Sequence, residues 1–102
     1  AFYKAKEYTA LPGASEHHTG LAVDIVGKSH QNLNKAQART KEALWLAEHC
    51  EEYGFILRYP ADKTDVTGIA YESWHFRYVG KEAAKYIMDN HLALEEFVDM
   101  LN

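Results

Sequence analysis

The order in which strand-like and helix-like patterns follow one another constrains the fold of this chain most. Residues 21–26 alternate in side-chain character, which predicts a strand of about six residues. Apolar residues at helical spacing then predict a helix over residues 36 to about 52, with Gly54 at its end. Asn34 and, three positions later, Gln37 resemble a capping box at the start of this helix.

The second half of the chain has strand patterns first and helical patterns last. The strand patterns lie at residues 55–59, 69–71 and 74–79, and the last two form either two strands or one interrupted strand, after a polar loop at residues 62–67. One helix is predicted after Gly80, running to about Asp89, and another from about His91. This order favours an α+β fold with a small antiparallel sheet over repeated βαβ units.

Composition narrows the class of protein. A chain of 102 residues has the length of one domain, and its 47% hydrophobic and 25% charged residues are typical of a globular domain. The net charge of −4 gives no electrostatic basis for binding nucleic acid. The longest apolar runs are only a few residues, so no membrane span is predicted. A single cysteine, Cys50, excludes an internal disulfide.

Two separated motifs contain the residues best suited to chemistry. The first, residues 15–24, places His17 and Asp24 seven positions apart with Gly20 between them. Gly20 and the alternating run predict a loop that leads into a strand, so His17 would lie on the loop and Asp24 on the strand. Imidazole and carboxylate groups together suit zinc.

The second motif, residues 72–75, places Glu72 and His75 three positions apart. Side chains at an odd offset in an extended strand point to opposite faces, so a bend at Ser73 is needed if both are to face one site. His75 would then be a further metal ligand. Glu72 would be a base beside the metal rather than a ligand.

Together, the motifs could supply three protein ligands, an open position for water and a base, which is what a catalytic zinc requires. This combination predicts hydrolysis of an amide bond by zinc-activated water. Either motif alone is also common among solvated polar residues, and spacing by itself leaves both interpretations open.

The first motif resembles the Ser-x-His-x-x-Gly-x-Ala-x-Asp signature of the VanY-type D-alanyl-D-alanine carboxypeptidases, and the second resembles their Glu-x-Trp-His signature. The flanks are similar as well, at Pro12-Gly13, residues 53–60 and residues 76–80. The resemblance covers roughly residues 8–90. It implies an α+β fold like that of lysostaphin-type peptidases and the hedgehog domain, in which the small sheet carries the zinc site and helices pack around it.

The resemblance also implies an enzyme, a zinc metallo-carboxypeptidase that removes a C-terminal D-alanine from peptidoglycan stem peptides in the bacterial cell envelope. Carried over position by position, it implies three zinc ligands: His17, Asp24 and His75. Glu72 would be the general base. The implied substrate contacts are Ser15, which helps to hold the carboxylate, Tyr59, which lines the groove, and Trp74, which walls the site.

One departure from the family pattern concerns an upstream arginine. Relatives carry it in a Tyr-Arg-Ser type motif, where it polarises the scissile carbonyl, and no such motif precedes Ser15 here. We expect residues 1–102 to form a single peptidase domain. Either this domain lacks an N-terminal segment that carries the arginine, and in which an anchor could also lie, or another cation replaces the arginine. Arg58 is the internal candidate, and a structural role and a substrate-binding role are both open for it.

Other functions are compatible with the same motifs. L,D-carboxypeptidases and D,D-dipeptidases of the same family share these motifs. A non-catalytic zinc module that only binds a cell-wall peptide is a rival from another class, although it would have no use for Glu72. A hedgehog-like signalling domain is disfavoured because the flanks resemble the bacterial enzymes. The oligomeric state does not follow from the sequence.

Overall fold

The structure, a computed structural model, describes residues 19–102. Its strands are β1 (Ala22–Asp24), β2 (Phe55–Tyr59) and β3 (Glu72–Tyr78). Its α-helices are α1 (Lys41–His49), α2 (Thr64–Thr67), α3 (Lys81–Asp89) and α4 (Leu94–Leu101). Three short 3-10 helices, Lys35–Arg39, Cys50–Tyr53 and Ala61–Lys63, complete the regular structure.

The three strands form one antiparallel sheet in the order β1-β3-β2. The predicted α+β class with a small antiparallel sheet is therefore confirmed. β3 lies in the centre of the sheet, so residues of the second motif contact both the strand that ends at Asp24 and the strand that ends at Tyr59.

The predicted long helix over residues 36–52 is wrong, because Thr40 interrupts it. Thr40 has an extended backbone with ψ of 150°, and its hydroxyl accepts a hydrogen bond from the Ala43 N–H as the cap of α1. A 3-10 helix precedes this cap and another follows α1. Gly54 ends the second 3-10 helix in the left-handed conformation, with φ of 86°, as predicted.

The capping box is confirmed only in its first half. Asn34 Oδ1 accepts a hydrogen bond from the Ala36 N–H at 3.2 Å. Gln37 does not return the bond, because its side chain is fully buried and turns away to the preceding loop. A polar residue that reads as a helix cap in sequence is thus a buried hydrogen-bonding centre in the fold.

Four further boundaries differ from the prediction. The strand predicted over residues 21–26 is shorter, since β1 spans only Ala22–Asp24. The polar loop at residues 62–67 is helical, and Gly68 ends α2 in the left-handed conformation with its N–H donated to the Thr64 carbonyl. Residues 69–71 precede a single strand, β3. The last helix starts at Leu94 rather than His91, since His91 has a positive φ of 53° and Glu96 accepts the Ala93 N–H at 2.8 Å. Helix α3 matches its predicted bounds.

The main hydrophobic core joins β2 to the two C-terminal helices. Ile56 packs against Ala84 and Ile87 of α3, all fully buried, and Phe97 and Leu94 of α4 pack against this cluster. Full burial of an isoleucine side chain, as at Ile56 and Ile87, contributes about 1.5–3 kcal/mol. The core therefore fixes α4 on the strand that ends beside the second motif.

Cys50 is buried, as predicted for a small core residue. Burial raises the pKa of its thiol to about 11. The thiol is consequently protonated at neutral pH, which leaves it without the thiolate character of a nucleophile or a metal ligand.

Candidate active site

The pairing of β1 with β3 places Asp24 directly opposite His75. Residues opposite each other in an antiparallel pair share one face of the sheet. The Ile25 N–H donates to the Trp74 carbonyl at 2.8 Å, which continues the pairing just past Asp24. Asp24 Oδ1 lies 3.4 Å from His75 Nδ1.

This spacing fits two ligands of one zinc ion. Nitrogen and oxygen ligands about 2.0–2.2 Å from a tetrahedral zinc lie about 3.3–3.6 Å from each other. The His75 side chain is 8% exposed and the Asp24 side chain 34%, so His75 lies in the interior and Asp24 is partly accessible to solvent. Within residues 19–102 no group of three or more His, Cys, Asp or Glu side chains is arranged to hold a metal ion. The third predicted ligand, His17, lies outside the described residues, as does Ser15.

A bulge in β3 brings Glu72 to the same place. Leu57 pairs with Phe76 and Tyr59 pairs with Glu72, so a step of two residues on β2 (57 to 59) matches a step of four on β3 (76 to 72). β3 thus contains two extra residues, 4 − 2, at this point. Bulges of this kind redirect side chains and are frequent beside active sites.

The bulge supplies the bend that the sequence required at Ser73. Glu72 Oε1 lies 3.8 Å from His75 Nδ1, although the two residues are three positions apart. The Glu72 side chain is 31% exposed, which leaves its carboxylate accessible from the open side of the site. The carboxylates of Glu72 and Asp24 therefore both converge on Nδ1 of His75.

Ser73 sits inside the bulge and is only 5% exposed. Its hydroxyl has no hydrogen-bond partner in the part of the chain that the structure describes. A buried hydroxyl of this kind adds desolvation cost without a compensating bond.

Because of this cost, we expect Ser73→Ala to leave the free energy of unfolding unchanged or to raise it by up to about 1 kcal/mol. Denaturant unfolding of the variant and the wild type measures the difference. A loss of more than about 1 kcal/mol would show that the hydroxyl makes a bond worth keeping.

Two predicted aromatic contacts differ in what the structure shows of them. The Tyr59 ring centroid lies 5.0 Å from that of His75, with 42° between the planes, so Tyr59 borders the site as expected of a groove residue. Trp74 is half-buried, and its carbonyl takes part in the pairing with Ile25. Its role as a wall of the site stays a prediction.

Arg58 points toward α4. Its Nη1 donates to Glu95 Oε1 at 2.8 Å, and its side chain is only 11% exposed. The guanidinium carbon also lies 4.7 Å from the centroid of the Tyr59 ring. Of the two roles left open by the sequence, this ion pair supports the structural one.

Sequence reasoning missed the role of Gln37 in holding the loop that follows Asp24. Gln37 Oε1 accepts the Gly27 N–H at 2.6 Å, and Nε2 donates to the His30 and Asn32 carbonyls at 2.8 and 2.9 Å. A Cβ at Gly27 would lie 2.9 Å from Thr40 Cγ2, so the loop approaches the helix too closely for a larger residue. The sequence signal for this role is no more than the presence of a glutamine in a segment predicted to be helical.

We expect Gln37→Leu to lower the free energy of unfolding by about 1–3 kcal/mol, because the buried Gly27 N–H loses its acceptor. Thermal or denaturant unfolding measures the loss. The control is Gln31→Leu at an exposed position, for which a change within about 0.5 kcal/mol is expected. Equal effects of the two variants would contradict the assigned role.

No helix among residues 19–102 has the length and apolar character needed to cross a membrane.

The family model for VanY, D-alanyl-D-alanine carboxypeptidase, matches residues 2–81. The chain therefore belongs to the VanY family of D-alanyl-D-alanine carboxypeptidases.

Curated relatives agree with this family. The chain is 53% identical to YodJ of Bacillus subtilis, covering 94% of the chain and 36% of YodJ. It is 44% identical to a D-alanyl-D-alanine carboxypeptidase of Enterococcus faecalis, covering 97% of the chain and 40% of that protein. It is 46% identical to VanXYC of Enterococcus gallinarum, a bifunctional D-Ala-D-Ala dipeptidase and carboxypeptidase, covering 94% of the chain and 52% of VanXYC.

Solved structures show the same fold. The LdcB LD-carboxypeptidase has a TM-score of 0.83 at 52% identity, covering 88% of this chain and 42% of LdcB. VanYB in complex with D-alanine-D-alanine has a TM-score of 0.76 at 45% identity, covering 90% and 48%. A mutant of the D,D-pentapeptidase VanY in complex with Zn(II) has a TM-score of 0.71 at 47% identity, covering 87% and 47%. The chain thus spans about a third to a half of the length of its relatives.

Proposed function

We propose that this domain belongs to a zinc-dependent carboxypeptidase that removes a C-terminal D-alanine from peptidoglycan stem peptides. The observation that carries the proposal is the convergence of Asp24 and Glu72 on His75 Nδ1, at 3.4 and 3.8 Å. The similarity to a VanY solved with Zn(II) and to VanYB solved with D-alanine-D-alanine supports the metal and the substrate class.

In this proposal His17, Asp24 and His75 would hold the zinc. When bound, zinc acts as a Lewis acid that polarises a carbonyl and lowers the pKa of a water molecule. The donor set of two imidazoles and one carboxylate suits this ion, and the position of Asp24 beside His75 Nδ1 is compatible with shared ligation.

Glu72 moves the proton. Its carboxylate accepts a proton from the attacking water as the water oxygen adds to the carbonyl carbon of the terminal peptide bond. It then delivers this proton to the nitrogen of the departing D-alanine, and the C–N bond breaks. One side chain can serve both steps because it is held beside the site and is partly open to solvent.

The substrate contacts are proposals at the level of single residues. Tyr59 would border the groove, because its ring already packs on His75. Ser15 would help to hold the terminal carboxylate, and Trp74 would wall the site. The ion pair with Glu95 disfavours Arg58 as the substitute for the carbonyl-polarising arginine of relatives.

We also propose an extracytoplasmic location in the bacterial cell envelope, since the proposed substrate is found there. Fractionation of the source cells, followed by detection of the protein with an antibody, would test this. Recovery in the cytoplasmic fraction alone would contradict it.

A second candidate is an L,D-carboxypeptidase, which acts on the bond before a single terminal D-alanine. The similarity to the LdcB LD-carboxypeptidase, at 52% identity and a TM-score of 0.83, favours it. A D,D-dipeptidase activity is a third possibility, through the similarity to VanXYC.

Mass spectrometry of the products separates these activities. The full-length protein is loaded with zinc and incubated in three separate reactions. The substrates are a pentapeptide ending in D-Ala-D-Ala, a tetrapeptide ending in one D-Ala, and the dipeptide D-Ala-D-Ala. Release of D-alanine from the pentapeptide alone identifies a D,D-carboxypeptidase, and release from the tetrapeptide an L,D-carboxypeptidase. If none of the three substrates were cleaved, the result would contradict the proposed function and support a non-catalytic binding module.

A further inference from the structure

Helix α4 is connected to the candidate active site by a series of direct contacts. Glu95 of α4 accepts a hydrogen bond from Arg58 at 2.8 Å, across 37 residues of sequence. The Arg58 guanidinium lies 4.7 Å from the Tyr59 ring centroid. That ring in turn lies 5.0 Å from the ring of His75.

The first contact is partly shielded from water. The Arg58 side chain is 11% exposed and the Glu95 side chain 36%. A mostly buried guanidinium requires a partner for its charge. Removing that partner costs more folding free energy than removing one partner of a surface pair. Glu95 therefore does more to fix the direction of Arg58 than a solvated pair would.

The second contact passes this orientation to Tyr59. A planar guanidinium stacks on an aromatic face, and this preference depends on the plane being held over the ring. Arg58 is held from one side by Glu95 and covers Tyr59 on the other. We expect a guanidinium that turned toward solvent to uncover this face of the Tyr59 ring, and the ring then to reorient against His75.

Helix α4 itself is firmly placed. Phe97 and Leu94 pack on the core around Ile56, and Lys63 pairs with Glu96 at 3.0 Å. The helix starts beyond residue 81, where the match to the family model ends.

We propose that Glu95 is a positioning residue of the active site, which acts through Arg58 and Tyr59 to fix the ring of His75. The expected effect of Glu95 on turnover rests on the proposed function. The expected effect of Glu95 on the His75 ring does not depend on that function.

The test compares Glu95→Gln with Glu96→Gln in the full-length protein. The two residues are adjacent on α4 and similarly exposed, at 36% and 33%. Glu96 pairs with Lys63 and accepts the Ala93 N–H, so its variant controls for loosening of the helix. Outer-shell partners of metal ligands are worth about 10- to 100-fold in affinity or activity, and Glu95 lies two contacts beyond the outer-shell residue Tyr59. We therefore expect Glu95→Gln to lower kcat by only about 3- to 10-fold. Glu96→Gln should leave kcat unchanged.

A second measurement does not need activity. The NMR resonances of the His75 ring protons depend on the nearby Tyr59 ring, and Glu95→Gln should shift them whereas Glu96→Gln should not. Arg58→Lys keeps the charge and loses the planar stack, so adding Glu95→Gln to it should have no further effect on the His75 resonances.

Unshifted His75 resonances in Glu95→Gln, or equal shifts in the two glutamate variants, would overturn the proposal. A wild-type protein that cleaves no substrate would instead contradict the proposed function, and the His75 resonances would still decide whether Glu95 positions the ring.

Discussion

Replacing Glu72 by alanine in the full-length protein should abolish nearly all release of D-alanine while the protein still binds zinc. Acid–base catalysis by one side chain typically contributes about 100- to 10,000-fold, and kcat should fall by that factor. Zinc should remain because Glu72 is the base and not one of the proposed ligands. Turnover by mass spectrometry and zinc content by elemental analysis measure the two quantities.

Glu82→Ala is the control for this experiment, since Glu82 is an exposed carboxylate in the first turn of α3. It should keep both turnover and zinc. Wild-type turnover in Glu72→Ala would show that another group moves the proton. Loss of zinc from the same variant would show that Glu72 is a ligand, and the assignment of base and ligand would have to change.

The second large effect is expected at His75, where the metal rather than the proton is affected. His75→Gln should lower zinc affinity by more than about 100-fold, because even outer-shell partners are worth about 10- to 100-fold. Glutamine keeps a polar side chain of similar size in a residue that is 6% exposed, which limits the cavity. Competition with a chelator of known affinity measures the change.

The matched control is His49→Gln on α1, where the imidazole contacts Glu52 at 2.7 Å and stacks on Trp45. This variant should bind zinc like the wild type. Circular dichroism of both variants should confirm that they are folded before affinity is compared. Unaltered zinc affinity in folded His75→Gln would refute the ligand assignment.

The fold class could be predicted because its determinants are local. The alternation that ends in β1, the short apolar run of β2 and the helical pattern of α3 each follow from residues close in sequence. The interrupted helix could not be predicted from periodicity, because the break depends on the backbone of Thr40 and on its capping hydroxyl. Both sides of the break continue the same apolar pattern.

The candidate site could be predicted in its residue types and only partly in its geometry. The offset of Glu72 from His75 required a bend, and the bulge in β3 provides it. The register that puts Asp24 opposite His75 depends on strand pairing over about 50 residues of sequence, which no local pattern encodes.

The contacts around the site depend on tertiary packing. Glu95 reads as one of several charges on an amphipathic helix, and only the packing of α4 on β2 brings it to Arg58. Gln37 reads as a helix cap, and only the return of the loop after Asp24 gives its amide three backbone partners. Long-range contacts of this kind have no signature in a single sequence.

A crystal structure of the zinc-loaded full-length protein, with the ion located by anomalous scattering at the zinc edge, tests the central claim most directly. The account predicts one strong peak bonded to His17, to the Asp24 carboxylate and to Nδ1 of His75, with the Glu72 carboxylate nearby but not bonded to it. A zinc ion held elsewhere, or bonded to His75 through Nε2, would contradict the account.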